Sequence, residues 1–146
     1  MPRSVPRPAV VVIVSLVTFP VPLFVTSCDE APSGPVATGT WGGVGVRLEV
    51  TPGGAALEFD CASGTWHDRP SLEAGEFTAA GTFSPEKGGP IAEDDPPPPE
   101  WTAAYEGTVE GERMRLEVRV PSQSLAIGPM ELTRGAPGEL RKCLRS

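Results

Sequence analysis

Histidine and tyrosine each occur once in this sequence, and cysteine three times. A zinc site draws on three or four Cys, His or carboxylate ligands. His67 has no second imidazole to join it, so no metal or other cofactor is expected. The common catalytic and nucleotide-binding signatures are missing too: there is no Gly-rich phosphate loop, no serine elbow and no dinucleotide fingerprint. Basic residues are scarce, 12 against 19 acidic ones, for a net charge of −7. That balance speaks against a nucleic-acid partner, which calls for a basic surface. With 14 glutamates some carboxylates must come close together, but none sits in a recognisable motif. The expectation is a chain that is not an enzyme. Amphipathic helical periodicity is absent as well, in a sequence holding 18 prolines and 17 glycines.

What is present divides the chain into three parts. "MPRSVPRP" carries Arg3 and Arg7 and no acid, and an apolar stretch follows. Pro20 and Pro22 interrupt that stretch, leaving residues 9–19 as its clean portion. A bilayer span needs about 20 apolar residues, so residues 1–27 read as a secretory signal. "VTSC", residues 25–28, resembles a bacterial lipobox. The resemblance implies that the Cys28 sulfur takes a diacylglyceryl group and that cleavage makes Cys28 the mature N-terminus; ordinary secretion is the alternative. The chain is then expected in the bacterial cell envelope, on its periplasmic or extracellular face, with the membrane as partner through the lipid. Residues 28–38, polar and rich in proline and glycine, read as a flexible tether. Without residues 1–27, ten basic residues face nineteen acidic ones, a charge of −9, so the folded part should not adhere to anionic lipid by charge.

From Gly39 the dominant period is two. Val44, Val46, Leu48 and Val50 alternate with Gly45, Arg47 and Glu49. "TPGG" turns the chain, and Ala55, Leu57, Phe59 and Cys61 share the inner face of the next strand. The pattern repeats at Phe77, Ala79, Gly81 and Phe83, at Ala103, Tyr105, Gly107 and Val109, and at Met114, Leu116, Val118 and Val120. Leu125 and Ile127 open a last long strand, whose phase shifts at Gly128-Pro129 as at a bulge and resumes with Met130 and Leu132. About eight short antiparallel strands with one apolar face each predict an all-β domain over residues 39–146, a sandwich or a closed barrel. Closure removes exposed edges.

"GTW" at 39–41 opens the first strand, and Arg134 ends the last in phase with Met130 and Leu132. An inward charge needs a partner, and the Trp41 face could supply one by cation–π contact. This pair resembles lipocalins, fatty-acid-binding proteins and avidins, which share a Gly-x-Trp in strand one and a basic residue of the last strand packed across that tryptophan. The resemblance implies a small up-and-down, lipocalin-like barrel with Trp41 and Arg134 at one end. The stretch from Gly39 to Thr65 is also similar to small bacterial envelope proteins of uncharacterised role, a likeness that carries no function across.

Cys61 and His67 raise the question of a thiol–imidazole pair. If Cys28 is lipidated, however, Cys61 and Cys143 remain as an even pair outside the cytoplasm, and such pairs oxidise. A Cys61–Cys143 disulfide is expected, with His67 on the surface. "SPEKGGPIAEDDPPPPEW", residues 84–101, is a long acidic, proline-rich loop, either a lid or partner-binding loop or a solvated insertion. The lipocalin resemblance leads to a non-catalytic, lipid-anchored envelope protein that binds a small apolar or amphipathic molecule. Phe59, Phe77, Phe83, Tyr105 and Met114 are the expected lining. The alternatives are a protein-interaction module, such as an inhibitor of an extracellular enzyme, and a structural envelope component.

Overall fold

In the computed structural model, residues 30–143 are described except residue 91. Residues 1–27, expected to be a secretory signal, and Cys28 lie outside the described residues.

Ten strands form: β1 (Gly34–Pro35), β2 (Gly39–Gly43), β3 (Val46–Thr51), β4 (Gly54–Phe59), β5 (Ala62–Trp66), β6 (Ser71–Leu72), β7 (Glu76–Pro85), β8 (Trp101–Glu110), β9 (Arg113–Val120) and β10 (Leu125–Arg134). Eight of them close an antiparallel barrel in the order β10-β2-β3-β4-β5-β7-β8-β9, a meander in which chain neighbours are sheet neighbours. β1 and β6 pair separately as a two-stranded sheet. Because the strands alternate in direction, every turn lies at one of two barrel ends. One end holds the strap of residues 32–37. The other holds the β2–β3 and β4–β5 turns and the long loop between β7 and β8.

The alternation read from the sequence sorts the side chains. In β3, Val46, Leu48 and Val50 are buried while Arg47 and Thr51 face solvent. In β9, Met114, Leu116, Val118 and Val120 all point inward. The register slip in β10 falls between Ile127 and Met130, around the Gly128–Pro129 pair, as the change of phase predicted.

Four local features differ from the sequence reading. The expected first strand is a hairpin: it breaks at Val44 and Gly45, where Gly45 takes a φ of +73° that favours glycine. Val44 stands at the tip, 80% exposed, instead of joining Val46 on the core face. β5 is an additional strand, with Ala62, Gly64 and Trp66 inward. Cys61 belongs to the exposed β4–β5 turn and not to the inner face of β4, because that strand ends at Phe59.

The fourth difference is the tether, which is shorter than residues 28–38. Pro32 accepts the Gly75 amide at 2.9 Å, and the Val36 amide donates to the Pro70 carbonyl at 3.0 Å. Arg69 Nε donates to the Val36 carbonyl at 2.7 Å, and Trp41 Nε1 donates to that of Ala37 at 3.1 Å. Val36 itself is fully buried against the barrel end. Backbone hydrogen bonding and one buried valine outweigh the tether-like composition here.

The C-terminal segment makes a second strap. After β10 the chain turns back along β2: the Gly135 amide bonds the Thr40 carbonyl at 2.7 Å, that of Glu139 bonds Gly43 at 2.9 Å, and Gly45 returns a bond to Glu139 at 2.9 Å. A Cβ on Gly42 would collide with Gly138 and Ala136, so the glycine run "GGVG" makes room for this crossing. The tail ends at the β4–β5 turn, where Cys143 is disulfide-bonded to Cys61 across a sequence separation of 82 residues. Asp60 accepts the Arg141 amide on its carboxylate at 2.6 Å and the Cys143 amide on its carbonyl at 3.1 Å.

Candidate functional site: a filled barrel and the loop at its distal end

The expected cavity-lining residues are brought together, and they fill the space they enclose. Phe59, Phe77, Phe83, Tyr105 and Met114 are all buried, and Tyr105 and Met114, like Trp41, expose 0%. A side chain bordering a water-sized void would keep accessible surface toward it; Trp41, Tyr105 and Met114 keep none, while Phe59, Phe77 and Phe83 keep 4–6%. Trp66, from the strand that the sequence did not signal, is buried among them. Its ring lies 5.3 Å from Phe77 and 6.1 Å from Tyr105, centroid to centroid. An eight-stranded barrel is just wide enough either to be filled or to hold one small ligand, and here two tryptophans, Trp41 and Trp66, occupy it.

Tyr105 is the barrel's polar anchor. Its hydroxyl donates to the Thr82 carbonyl at 2.6 Å, in space left open by Gly64, where a Cβ would strike the phenol oxygen. Burial pushes the phenol well above the ordinary tyrosine range. The Trp66 indole N–H, by contrast, is buried without an acceptor among the described residues.

Trp41 and Arg134 are direct register partners across the β10–β2 seam. The guanidinium nevertheless meets a carboxylate, Glu112 Oε1 at 3.8 Å, and 42% of the side chain is exposed. At the end of a strand an arginine can reach the rim and water, so the predicted inward charge is solvated and paired there. Cys61 and His67 flank β5 at its two ends, about 20 Å apart at the rise of a strand, with the thiol consumed in the disulfide and the imidazole exposed. They do not form a catalytic pair. Among the described residues no three His, Cys, Asp or Glu side chains gather as a metal-ligand set.

The two leading clefts lie on the outer wall. The larger, about 560 Å³, is open and mostly polar, lined by Glu73, Glu76, Glu106 and Glu117 with Thr78 and Arg115. Two of these acids already share Arg119, with Glu106 and Glu117 oxygens each at 3.4 Å. Arg115 lies 3.8 Å from Glu131.

Protein-family models, curated proteins and solved structures were compared with the chain, and none matches it.

The remaining feature is the loop between β7 and β8, at the end opposite the N-terminal strap. Residues 92–100 are exposed throughout, yet both ends of the proline run are pinned. The Asp95 amide bonds the Ala92 carbonyl at 3.0 Å, and the Asp95 carboxylate accepts the Ala92 amide at 2.9 Å. Beyond the prolines, Ser84 Oγ donates to the Pro99 carbonyl at 2.8 Å. Trp101 then enters β8 stacked on Phe83, with centroids 6.4 Å apart and planes at 12°. Phe83 in turn lies 5.7 Å from Phe59, so three aromatic rings close the barrel directly beneath the loop. The role of Trp101 was open to a sequence reader, since it continues the phase of Ala103 and Tyr105. The pinning bonds of Asp95 and Ser84 had no such signal.

Proposed function

We propose that this chain is a non-catalytic protein-interaction module of the bacterial cell envelope, held to a membrane by lipid on Cys28 and presenting the β7–β8 loop to its partner. The observation that carries the reading is the filled interior. Trp41, Tyr105 and Met114 have no accessible surface, so recognition falls to the outside of the barrel. The closed eight-stranded meander supports the lipocalin-like topology, but the interior ligand that such a resemblance implies would need a void that these side chains occupy. An inhibitor of an extracellular enzyme is one form such a module could take.

The direction of the molecule supports the same reading. The chain is docked from Pro32 onward, so a lipid on Cys28 would hold that end within about 14 Å of the bilayer, four residues at full extension. β7 is ten residues long, which puts the loop roughly 30 Å farther out. The Cys61–Cys143 disulfide is the kind of bond that persists in an oxidising, exported setting.

Photo-cross-linking in the native envelope tests this. A photoreactive residue at position 92, in the loop, should capture a protein, whereas one at Glu110, exposed at the opposite end, should not. Capture from Glu110 alone, or of lipid from both, would refute the proposed orientation.

A further inference from the structure

Building on that reading, we infer that the loop is a rigid polyproline ligand, and that its partner carries an aromatic-lined groove with a basic rim. Residues 96–99 are four consecutive prolines. Each fixes its own φ near −65° and pushes the residue before it into the extended region. Residues 96–98, each a proline before a proline, therefore have little choice but the left-handed polyproline conformation, with three residues per turn and no internal hydrogen bonds.

Three observations distinguish this run from a loose insertion. All four rings are exposed, although the run ends two residues before Trp101 of the apolar cap. A run that served only to cover that cap would bury them. The run is also bounded on both sides, by a local Ala92–Asp95 turn before it and by the Ser84–Pro99 bond that ties its end to β7, which lowers the entropy cost of binding. Finally, the Pro99 carbonyl is engaged, but among the described residues no donor reaches the carbonyls of Pro96, Pro97 or Pro98. Exposed rings and free carbonyls on a preformed helix are what aromatic grooves recognise in proline-rich segments.

The flanks specify the rest of the partner. Glu93 and Asp94 precede the run and Glu100 follows it, and all are exposed. None takes part in an ion pair among the described residues; the nearest ion pair in the loop is Lys142 with Glu86, at 3.1 Å. Acid on both sides of the apolar ridge calls for lysine or arginine on both sides of the groove. Asp95 differs from these acids, because its carboxylate is spent on holding the Ala92 amide.

The test uses the full chain in its own envelope, with the photoreactive residue at position 92 so that every acid and proline is kept. Two synthetic peptides compete for the adduct: residues 92–101, and the same peptide with alanine for Pro97 and Pro98. The proline peptide should abolish the adduct at a concentration about tenfold lower than the alanine peptide, since two restrained residues are freed in the latter. In the chain itself, Pro97→Ala with Pro98→Ala should cut adduct yield about tenfold in a protein that stays folded, its thermal midpoint lowered only by the lost restraint on the unfolded chain. Glu93→Gln with Asp94→Asn should lower the yield and flatten its dependence on salt. Equal competition by both peptides, or full yield from the alanine chain, would overturn the polyproline inference and leave the interaction reading standing. A chain that gives no adduct from position 92 fails that reading itself, before any proline is changed.

Discussion

The phenol oxygen of Tyr105 sits where a side chain on Gly64 would have to stand. The two residues lie on strands separated by β7, and the hydroxyl reaches across to the Thr82 carbonyl at 2.6 Å. Gly64→Ala should therefore destabilise the barrel by about 1–3 kcal/mol through overpacking. Tyr105→Phe should cost about 1–2 kcal/mol for the lost bond. Because the phenylalanine removes the clashing atom, the double variant should be more stable than the sum of the two losses allows. Urea unfolding of the four proteins measures this, and simple additivity would deny the contact.

Tyr105 also sets an alkaline limit. Burial raises its folded-state pKa above the ordinary value near 10. The folded protein then keeps a proton that the unfolded chain loses, so the Tyr105 contribution is intact below about pH 10 and declines above it, by about 1.4 kcal/mol per pH unit. The informative quantity is the difference between the parent and Tyr105→Phe. That difference should shrink steadily above pH 10, and a constant gap would contradict the assignment.

The tail clasp can be opened separately. Cys143→Ser removes the constraint on a loop of 82 residues, and should cost about 3–5 kcal/mol by the chain-entropy estimate. Hydrogen exchange should show where the loss begins. The amides of Gly45 and Glu139, which bond across the tail–β2 crossing, should lose protection before those of β8 and β9. Uniform loss of protection over the whole barrel would mean that the tail is no separate unit.

The Arg134–Glu112 pair is exposed, and exposed pairs contribute little. Arg134→Ala should change stability by less than about 1 kcal/mol. A loss above about 2 kcal/mol would restore the predicted packing on Trp41 as the dominant contact. The N-terminal strap should respond more strongly: Arg69→Ala removes a charged donor at 2.7 Å from the Val36 carbonyl, a bond of the class worth about 1.5–3 kcal/mol. Limited proteolysis should then cut residues 30–37 first, and resistance there would argue against the strap.

Much of the barrel was legible because one face of each long strand is apolar and the other more polar. β3, β4, β7, β8 and β9 announce themselves by that alternation, and the glycine–proline pair in β10 marks its bulge. The missed elements lack that contrast. "ASGTW" in β5 turns Ala62, Gly64 and Trp66 inward, and two of these are too small to show as a stripe. Val44 keeps the phase of β3 while standing in a turn, so pattern alone extends the strand past its end. Cys61 misleads in the same way, continuing the alternation of β4 beyond Phe59. The strap was hidden by composition: its prolines and glycines read as a linker, and only the bonds to Arg69, Pro70 and Gly75 show that it is docked. For the site, the sequence turned Phe59, Phe77, Phe83 and Tyr105 inward, as they stand, but carried nothing about their packing. Whether inward residues meet or leave a void depends on Trp66, which no period revealed.

The central claim is that the barrel interior belongs to its own side chains and that the protein acts from its surface. Native mass spectrometry of the protein purified from its own source tests it most directly. The expected result is the mass of the chain with the Cys61–Cys143 bond intact and no small molecule retained. A stoichiometric apolar ligand, released only when the barrel unfolds, would contradict the account.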